Sequence, residues 1–289
     1  MFFLWILHFL PLPVLGRIGE FCGFLLFYLL KTRRNITLLN LSLCFPQFSN
    51  AKIKLIAKSH FKAYARSVIE RGVLWWAPKK RLIKLINIES EIPLETSDKK
   101  PTVFLCPHFV CLETAGVIMT MTKEICSIYS EQSNKVFDDA LKKGRLRFTK
   151  NKNNLVKRNK GIKPIIKAMR KGTPFLMFPD MDFGKKESIF VPFFGVLAAT
   201  LTAPARITLM TKGQVIPIFT SFMPNYKGWK VKFYPPWKDY PGKNLEAATK
   251  RMNNFIEERV LEAPEEYFWS HKRFKTRPDG CTNIYEQLK

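Results

Sequence analysis

Histidine is nearly absent from this chain, with four copies in 289 residues. Acidic side chains are scarce too: 23 Asp and Glu stand against 48 Lys and Arg, a formal charge of +25. So basic a protein seeks polyanions, whether nucleic acid, anionic lipid or an acidic protein. No CxxC pair occurs among the six cysteines, and most of these lie in apolar contexts, which fits reduced thiols rather than disulfide staples. There is no HExxH, and no second ligand pair follows Cys106, His108 and Cys111, so a four-ligand zinc site has no support. A Cys–His nucleophile pair is weak as well, because Cys106 lies inside an apolar run where a thiol is inert. Neither a glycine-rich phosphate loop nor a dinucleotide motif is present, so no nucleotide cofactor is indicated.

Charge is missing from the first sixteen residues, MFFLWILHFLPLPVLG; Arg17 and Glu20 follow, then ten more uncharged positions. Neither half reaches the ~20 apolar residues of a spanning helix, and Pro11 and Pro13 break or kink any helix between them. A signal peptide fits poorly, since no basic segment precedes the apolar run. Lys31, Arg33 and Arg34 follow it and put the remainder of the chain on the cytoplasmic side. Residues 1–30 therefore read as an uncleaved membrane anchor, a kinked span or an in-plane pair of helices, with a buried core hairpin as the alternative. Residues 31–289 form the second unit.

What is present is an alternation of strand and helix signals. Residues 51–76 carry apolar residues at helical spacing with Ser49 or Asn50 as cap, and Gly72 as a point of interruption. TVFLC (102–106), 124–130, 174–180, 214–222 and 229–234 read as strands; 112–121, 136–148, 161–172 and 245–263 read as helices. This predicts an α/β protein with a mixed central sheet and flanking helices. In such sheets sites gather at the carboxyl ends of strands, and PHF follows one strand and PDMDFG another.

In PHFVCLETAG (107–116), His108 in the loop and Glu113 in the first turn of the next helix can form an acid–base pair. The carboxylate would hold one ring nitrogen and leave the other free as a base. The plainer alternative is a loop histidine near a helix start where the dipole favours Glu113.

The motifs resemble those of a known family. His-x4-Asp/Glu after a strand marks the glycerolipid acyltransferase superfamily, and within it the chain resembles the bacterial late acyltransferases of lipid A biosynthesis. The likeness rests on NLSLCFP (40–46), WW (75–76), HFVCLE, GRLRF (144–148), FPDMDFG (178–184), IFVPFFG (189–195), VIPIF (215–219) and YFWSHKRFKTRPDG (267–280), in the family's order. Two departures stand out. Pro–His–Phe–Val–Cys–Leu–Glu replaces the usual Asn or Gly–His–Phe–Gly–Asn–Trp–Glu, and Tyr129–Ser130–Glu131 replaces Tyr–Arg–Pro, which removes a basic group.

The resemblance implies transfer of a fatty acyl chain from acyl carrier protein to a hydroxyl of the lipid A precursor at the cytoplasmic face of the inner membrane. It implies His108 as general base with Glu113 stabilising the imidazolium, and no cofactor or metal. Asp180 and Asp182 would hold the acceptor or the basic side chains of the site; turn chemistry is the alternative for both. Residues 135–171 hold fourteen Lys and Arg against two Asp, and from these Arg145, Arg147 and Arg158 are expected to touch substrate. Nucleic acid is disfavoured, because no recognised nucleic-acid module is visible and an apolar anchor argues for lipid. Two other readings stay open: acyl transfer to a lysophospholipid from coenzyme A or acyl carrier protein, and a non-catalytic lipid-binding relative.

Overall fold

The run TVFLC is apolar at every position because it forms a central strand buried on both faces, as parallel strands covered by helices are. The computed structural model describes residues 2–93 and 100–288. Helices α1 (Phe2–Leu7), α2 (Leu12–Leu29), α3 (Lys31–Cys44), α4 (Asn50–Trp76) and α5 (Lys79–Leu85) open the chain. Next come β1 (Ile86–Ser90), β2 (Thr102–Leu105), α6 (Leu112–Thr122), β3 (Cys126–Tyr129), α7 (Lys135–Arg145) and β4 (Leu155–Lys157). The chain continues through α8 (Lys163–Arg170), β5 (Phe175–Met177), the hairpin β6 (Ser188–Phe193) and β7 (Val196–Leu201), and α9 (Ala203–Thr211). It closes with β8 (Gln214–Phe222), β9 (Trp229–Phe233) and α10 (Leu245–Glu262).

Seven strands form one mixed sheet in the order β1-β9-β8-β2-β5-β3-β4. All neighbours run parallel except β8 and β9, whose connection is short. Successive residues of β2 feed opposite cores: Val103 and Leu105 pack with side chains of α8, α9 and α10, whereas Phe104 packs with those of α6 and α7. This is the α/β architecture with flanking helices that the strand and helix signals predict. Helix α4 begins where Ser49 accepts a hydrogen bond from the Lys52 amide and runs unbroken to Trp76. Gly72 does not interrupt it. Its missing side chain instead admits α1, since a Cβ there would stand 2.4 Å from the Leu4 carbonyl. Strand β1 carries no apolar signal because four of its five residues are exposed at the sheet edge. Helix α7 stops at Arg145, short of the expected residue 148.

The apolar start of the chain packs on the rest. Leu7, Leu12 and Leu15 share a core with Trp75, Leu82 and Ile216; Phe27 shares the other with Ile36 and Phe61. The NLSLCFP segment also has a structural task. Asn40, fully buried on α3, donates to the carbonyls of Trp269 (2.7 Å) and His271 (2.8 Å) and accepts from the Tyr285 hydroxyl (2.5 Å). It thereby holds the carboxyl-terminal segment. Asn40→Ala leaves these buried groups unpaired, at ~1–3 kcal/mol each, so unfolding in urea should show a loss of about 3 kcal/mol or more. A loss below ~1 kcal/mol would mean that the segment is held by other contacts.

Candidate active site

Parallel pairing of β2 with β5 sets Val103 beside Phe175 and Leu105 beside Met177, and the same offset sets His108 against Asp180. Beyond the strands the ladder continues with the Cys106 amide donating to the Met177 carbonyl (2.9 Å). The His108 amide then donates to both Asp180 oxygens (2.9 and 3.1 Å), and the ring Nδ1–H donates to Oδ1 at 2.7 Å. The carboxylate accepts at Nδ1, so the neutral ring carries its proton there and Nε2 presents a lone pair. Asp180 is buried. Burial alone would raise its carboxyl, but His108 and the three hydrogen bonds outweigh it and hold it below the usual range.

The carboxyl-terminal tag braces this loop from behind. The Phe268 amide donates to the His108 carbonyl (3.0 Å), the Val110 amide donates to the Glu266 carbonyl (2.8 Å), and Phe109 bridges Tyr267. Asp182 works in the same joint: it accepts from the Gly184 amide and from the Thr276 amide and hydroxyl, at 2.6 to 3.0 Å. Its own amide donates to His271 Nε2 (3.1 Å). Burial, together with His108 and Arg273 nearby, pushes His271 down to about 4, so it stays neutral and can accept. Glu266, Tyr267 and His271 escape sequence reasoning as site residues; Tyr267 and His271 fall in the carboxyl-terminal motif and Glu266 directly precedes it.

Glu113 sits in the first turn of α6, as expected, but its carboxylate turns away from the His108 Nδ1. It accepts from Trp75 Nε1 (3.1 Å) and, in a bidentate pair, from Arg145 Nε (2.9 Å) and Nη2 (2.7 Å). Burial would raise this carboxyl, but the Arg145 charge and hydrogen bonds, with Arg71 and Trp75, hold it down to about 2. The Glu113–imidazole hydrogen bond expected from the spacing is thus replaced by Asp180–imidazole. The sheet register decides this, because it delivers Asp180 to the ring nitrogen from the adjacent strand.

The GRLRF segment divides its labour. Gly144 lies on the Trp75 indole, where a Cβ would meet ring atoms at 2.4 Å. Arg145 takes Glu113. Arg147 donates to the carbonyls of Leu74 (3.1 Å) and Ala77 (2.8 Å), capping the end of α4, so its guanidinium is engaged by backbone. Arg158 is exposed and stacks on the Phe183 ring at 4.3 Å, beside the FPDMDFG loop.

A narrow cleft, with a cavity volume of about 40 Å³, opens between α6 and the α7–β4 segment. Its wall is mainly apolar, with Leu112, Gly116, Leu146, Leu155, Leu176 and Phe178, and the Glu113–Arg145 pair is its charged feature. Phe178 also lies against the His108 ring, centroids 5.6 Å apart, so the cleft reaches His108. Cys106 and Cys111, on either side of His108, have thiols pushed far up by burial, which leaves them protonated and inert.

These carboxylates make stability depend on pH in two windows. Burial pushes Glu266 up to about 8 and, despite Arg66, Glu70 up to about 7. Their folded values exceed the unfolded ones, so the native state binds more protons and stability falls as pH rises toward 8. Glu113 has the opposite sign, and its contribution is lost as pH falls from the ordinary carboxylate range toward 2. His60 and His271, both lowered to about 4, act with Glu113 on the acid side, since they must charge on unfolding. The melting temperature should therefore fall below about pH 4.5 and again between about pH 6.5 and 8. Glu266→Gln should flatten the alkaline fall; an unchanged slope would exclude Glu266 as its source.

A hydrogen-bonded Asp180–His108 pair thus stands beside an apolar cleft at the carboxyl ends of a mixed α/β sheet. The chain belongs to the bacterial lipid A biosynthesis acyltransferase family, whose profile matches residues 1–276. It is therefore an O-acyltransferase that acts on a lipid A precursor. It is 32% identical over 286 residues to the lipid A biosynthesis lauroyltransferase of Escherichia coli K12, covering 98% of this chain and 92% of that protein. With the palmitoleoyltransferase of the same organism it shares 30% identity over 285 residues, covering 98% and 92%. The myristoyltransferase is 29% identical over 278 residues, covering 95% and 84%. Among solved structures, the 1-acyl-sn-glycerophosphate acyltransferase of Thermotoga maritima superposes with a TM-score of 0.41 at 14% identity, covering 86% of this chain and 98% of that one.

Proposed function

We propose that the protein transfers a fatty acyl group from the thioester of acyl carrier protein to a hydroxyl of the lipid A precursor at the cytoplasmic face of the inner membrane. The observation that carries this reading is the Asp180–His108 pair at the mouth of the apolar cleft. His108 Nε2 takes the proton of the acceptor hydroxyl as its oxygen attacks the thioester carbonyl. Asp180 keeps the receiving nitrogen unprotonated beforehand and stabilises the imidazolium afterwards. Collapse of the tetrahedral intermediate expels the carrier thiolate, which takes the proton back from His108. No acyl-enzyme forms.

The acyl chain lies in the cleft against Leu112, Leu176 and Phe178. Glu113, rather than touching the imidazole, holds Arg145 rigid, and Arg145 supplies positive charge for the developing oxyanion or an acceptor phosphate. Arg158 and the lysines of residues 135–171 favour the acidic carrier and the anionic acceptor. Arg147 and Asp182 act by positioning the loops around the site.

The donor decides between this reading and a lysophospholipid acyltransferase. Purified enzyme should acylate a lipid A precursor from acyl carrier protein thioesters far faster than from coenzyme A thioesters, with a donor KM that rises with salt as screening grows. Preference for coenzyme A with lysophosphatidic acid would support the alternative. No turnover with any pair would leave a lipid-binding relative.

A further inference from the structure

Among the described residues, helix α2 is the element whose length and composition suit a membrane span, with 18 residues of which a third are buried. At 1.5 Å per residue it is ~27 Å long, slightly under the ~30 Å hydrocarbon core. Its two faces differ in kind. Gly16, Gly19 and Gly23 lie on one face, and there the chain touches the protein closely. A Cβ on Gly19 would stand 2.4 Å from the Arg66 Cα, and one on Gly23 would stand 2.4 Å from the Phe61 carbonyl. Later α2 residues meet earlier α4 residues, so the two helices run antiparallel with backbones in contact. The opposite face of α2 exposes Val14, Phe21, Phe24, Leu25 and Tyr28. At 100° per residue these fall within roughly one third of the helix circumference. Helix α1 extends the patch with Phe2, Phe3 and Ile6, followed by Phe9 in the connection to α2.

Helix α4 cannot enter a bilayer. It carries Lys52, Lys54, Lys58, Lys62, Arg66 and Arg71 along its length. The Lys58 ammonium lies 5.6 Å from the Tyr28 ring and 5.8 Å from the Phe27 ring, at the seam between the helices. The Arg66 guanidinium is paired with Glu70 beneath α2 at 2.6 Å. A membrane-spanning α2 would either pull these cations into hydrocarbon or tear open the glycine seam.

We propose that α1 and α2 lie in the plane of an anionic lipid surface, half-submerged on their aromatic face, with α4 riding above them in the headgroup layer. Arg17 falls within the exposed face near its amino-terminal end, Arg34 and Lys58 stack beside Phe27 and Tyr28 at its other end, Lys62 packs against Gly23, and these cations meet the lipid phosphates. The anchor is then part of the catalytic domain, and it fixes the height of the cleft over the bilayer. This deepens the membrane part of the proposed function and does not depend on catalysis.

Depth measurement tests it. Nitroxide labels are placed one at a time at the exposed positions 9, 21 and 29 of the full chain, and the protein is bound to vesicles of phosphatidylglycerol and phosphatidylethanolamine. Oxygen and nickel-complex collision rates then give each depth, and circular dichroism checks each variant's fold. An in-plane pair places all three labels at similar, shallow depths, ~5–10 Å below the phosphates. A label at 21 near the midplane, ~15 Å deep, with 9 and 29 shallow, would mean a span and overturn the proposal. Three water-exposed labels would overturn it as well. Acyl transfer measured on the same vesicles separates the two readings: silent protein with three shallow labels defeats the acyltransferase mechanism and leaves the in-plane anchor standing.

Discussion

Asp180→Asn should lower acyl transfer by ~10²–10⁴-fold, approaching the loss in His108→Ala, while the fold is retained. The carboxylate now accepts both the His108 amide and the Nδ1–H. An asparagine has a single acceptor oxygen. Committed to the backbone amide, it turns its NH₂ toward Nδ1, which must then become the acceptor. The ring proton moves to Nε2, and a donor faces the hydroxyl where a lone pair is needed. Because the two residues act as one unit, the double variant should be little worse than His108→Ala alone. Circular dichroism and melting would verify folding, and lipid A mass spectrometry on cells would read turnover. Near-normal activity in Asp180→Asn, with collapse in Glu113→Gln, would return the orienting role to Glu113.

The second large effect concerns the Glu113–Arg145 pair. Arg145→Met strands a buried carboxylate. Freed of the guanidinium, that carboxyl no longer stays near 2, and burial drives it upward. Breaking one side of such a pair costs ~3–5 kcal/mol, so the single variants Arg145→Met and Glu113→Gln should both melt lower. The combination Glu113→Gln with Arg145→Met removes both charges and should recover much of that stability. Activity should not recover. A lost cation at a developing oxyanion costs ~10²–10³-fold in kcat, whatever the melting temperature. If activity returns together with stability in the double variant, the pair serves folding alone and the oxyanion is stabilised elsewhere.

Much of this site is legible in the chain itself. The apolar run of β2 announces a buried strand, and a polar histidine just beyond it falls at the carboxyl end of the sheet. The FPD of residues 178–180 ends β5 in the same way. Motif order alone points to the lipid A acyltransferases, which the profile match bears out. Polar β1 stays silent because an exposed edge strand needs no apolar period, and β4 because three residues are too few to show one.

The sequence by itself determined the α/β class, the helix cap at Ser49, the place of His108 at a strand end and the basic surface charge. These are local or additive properties, read from spacing, side-chain chemistry and charge. Only the tertiary structure decided which carboxylate meets His108. Spacing along the chain favoured Glu113, five residues away, but the β2–β5 register brought Asp180 to the ring nitrogen and left Glu113 to Arg145 and Trp75. Likewise the three arginines expected at substrate separated into an ion-pair partner, a helix cap and an exposed stacked cation. A hydrogen bond extends only about 3 Å, so its partners follow from which backbones the fold sets side by side, and residues distant in the chain are brought together by packing alone.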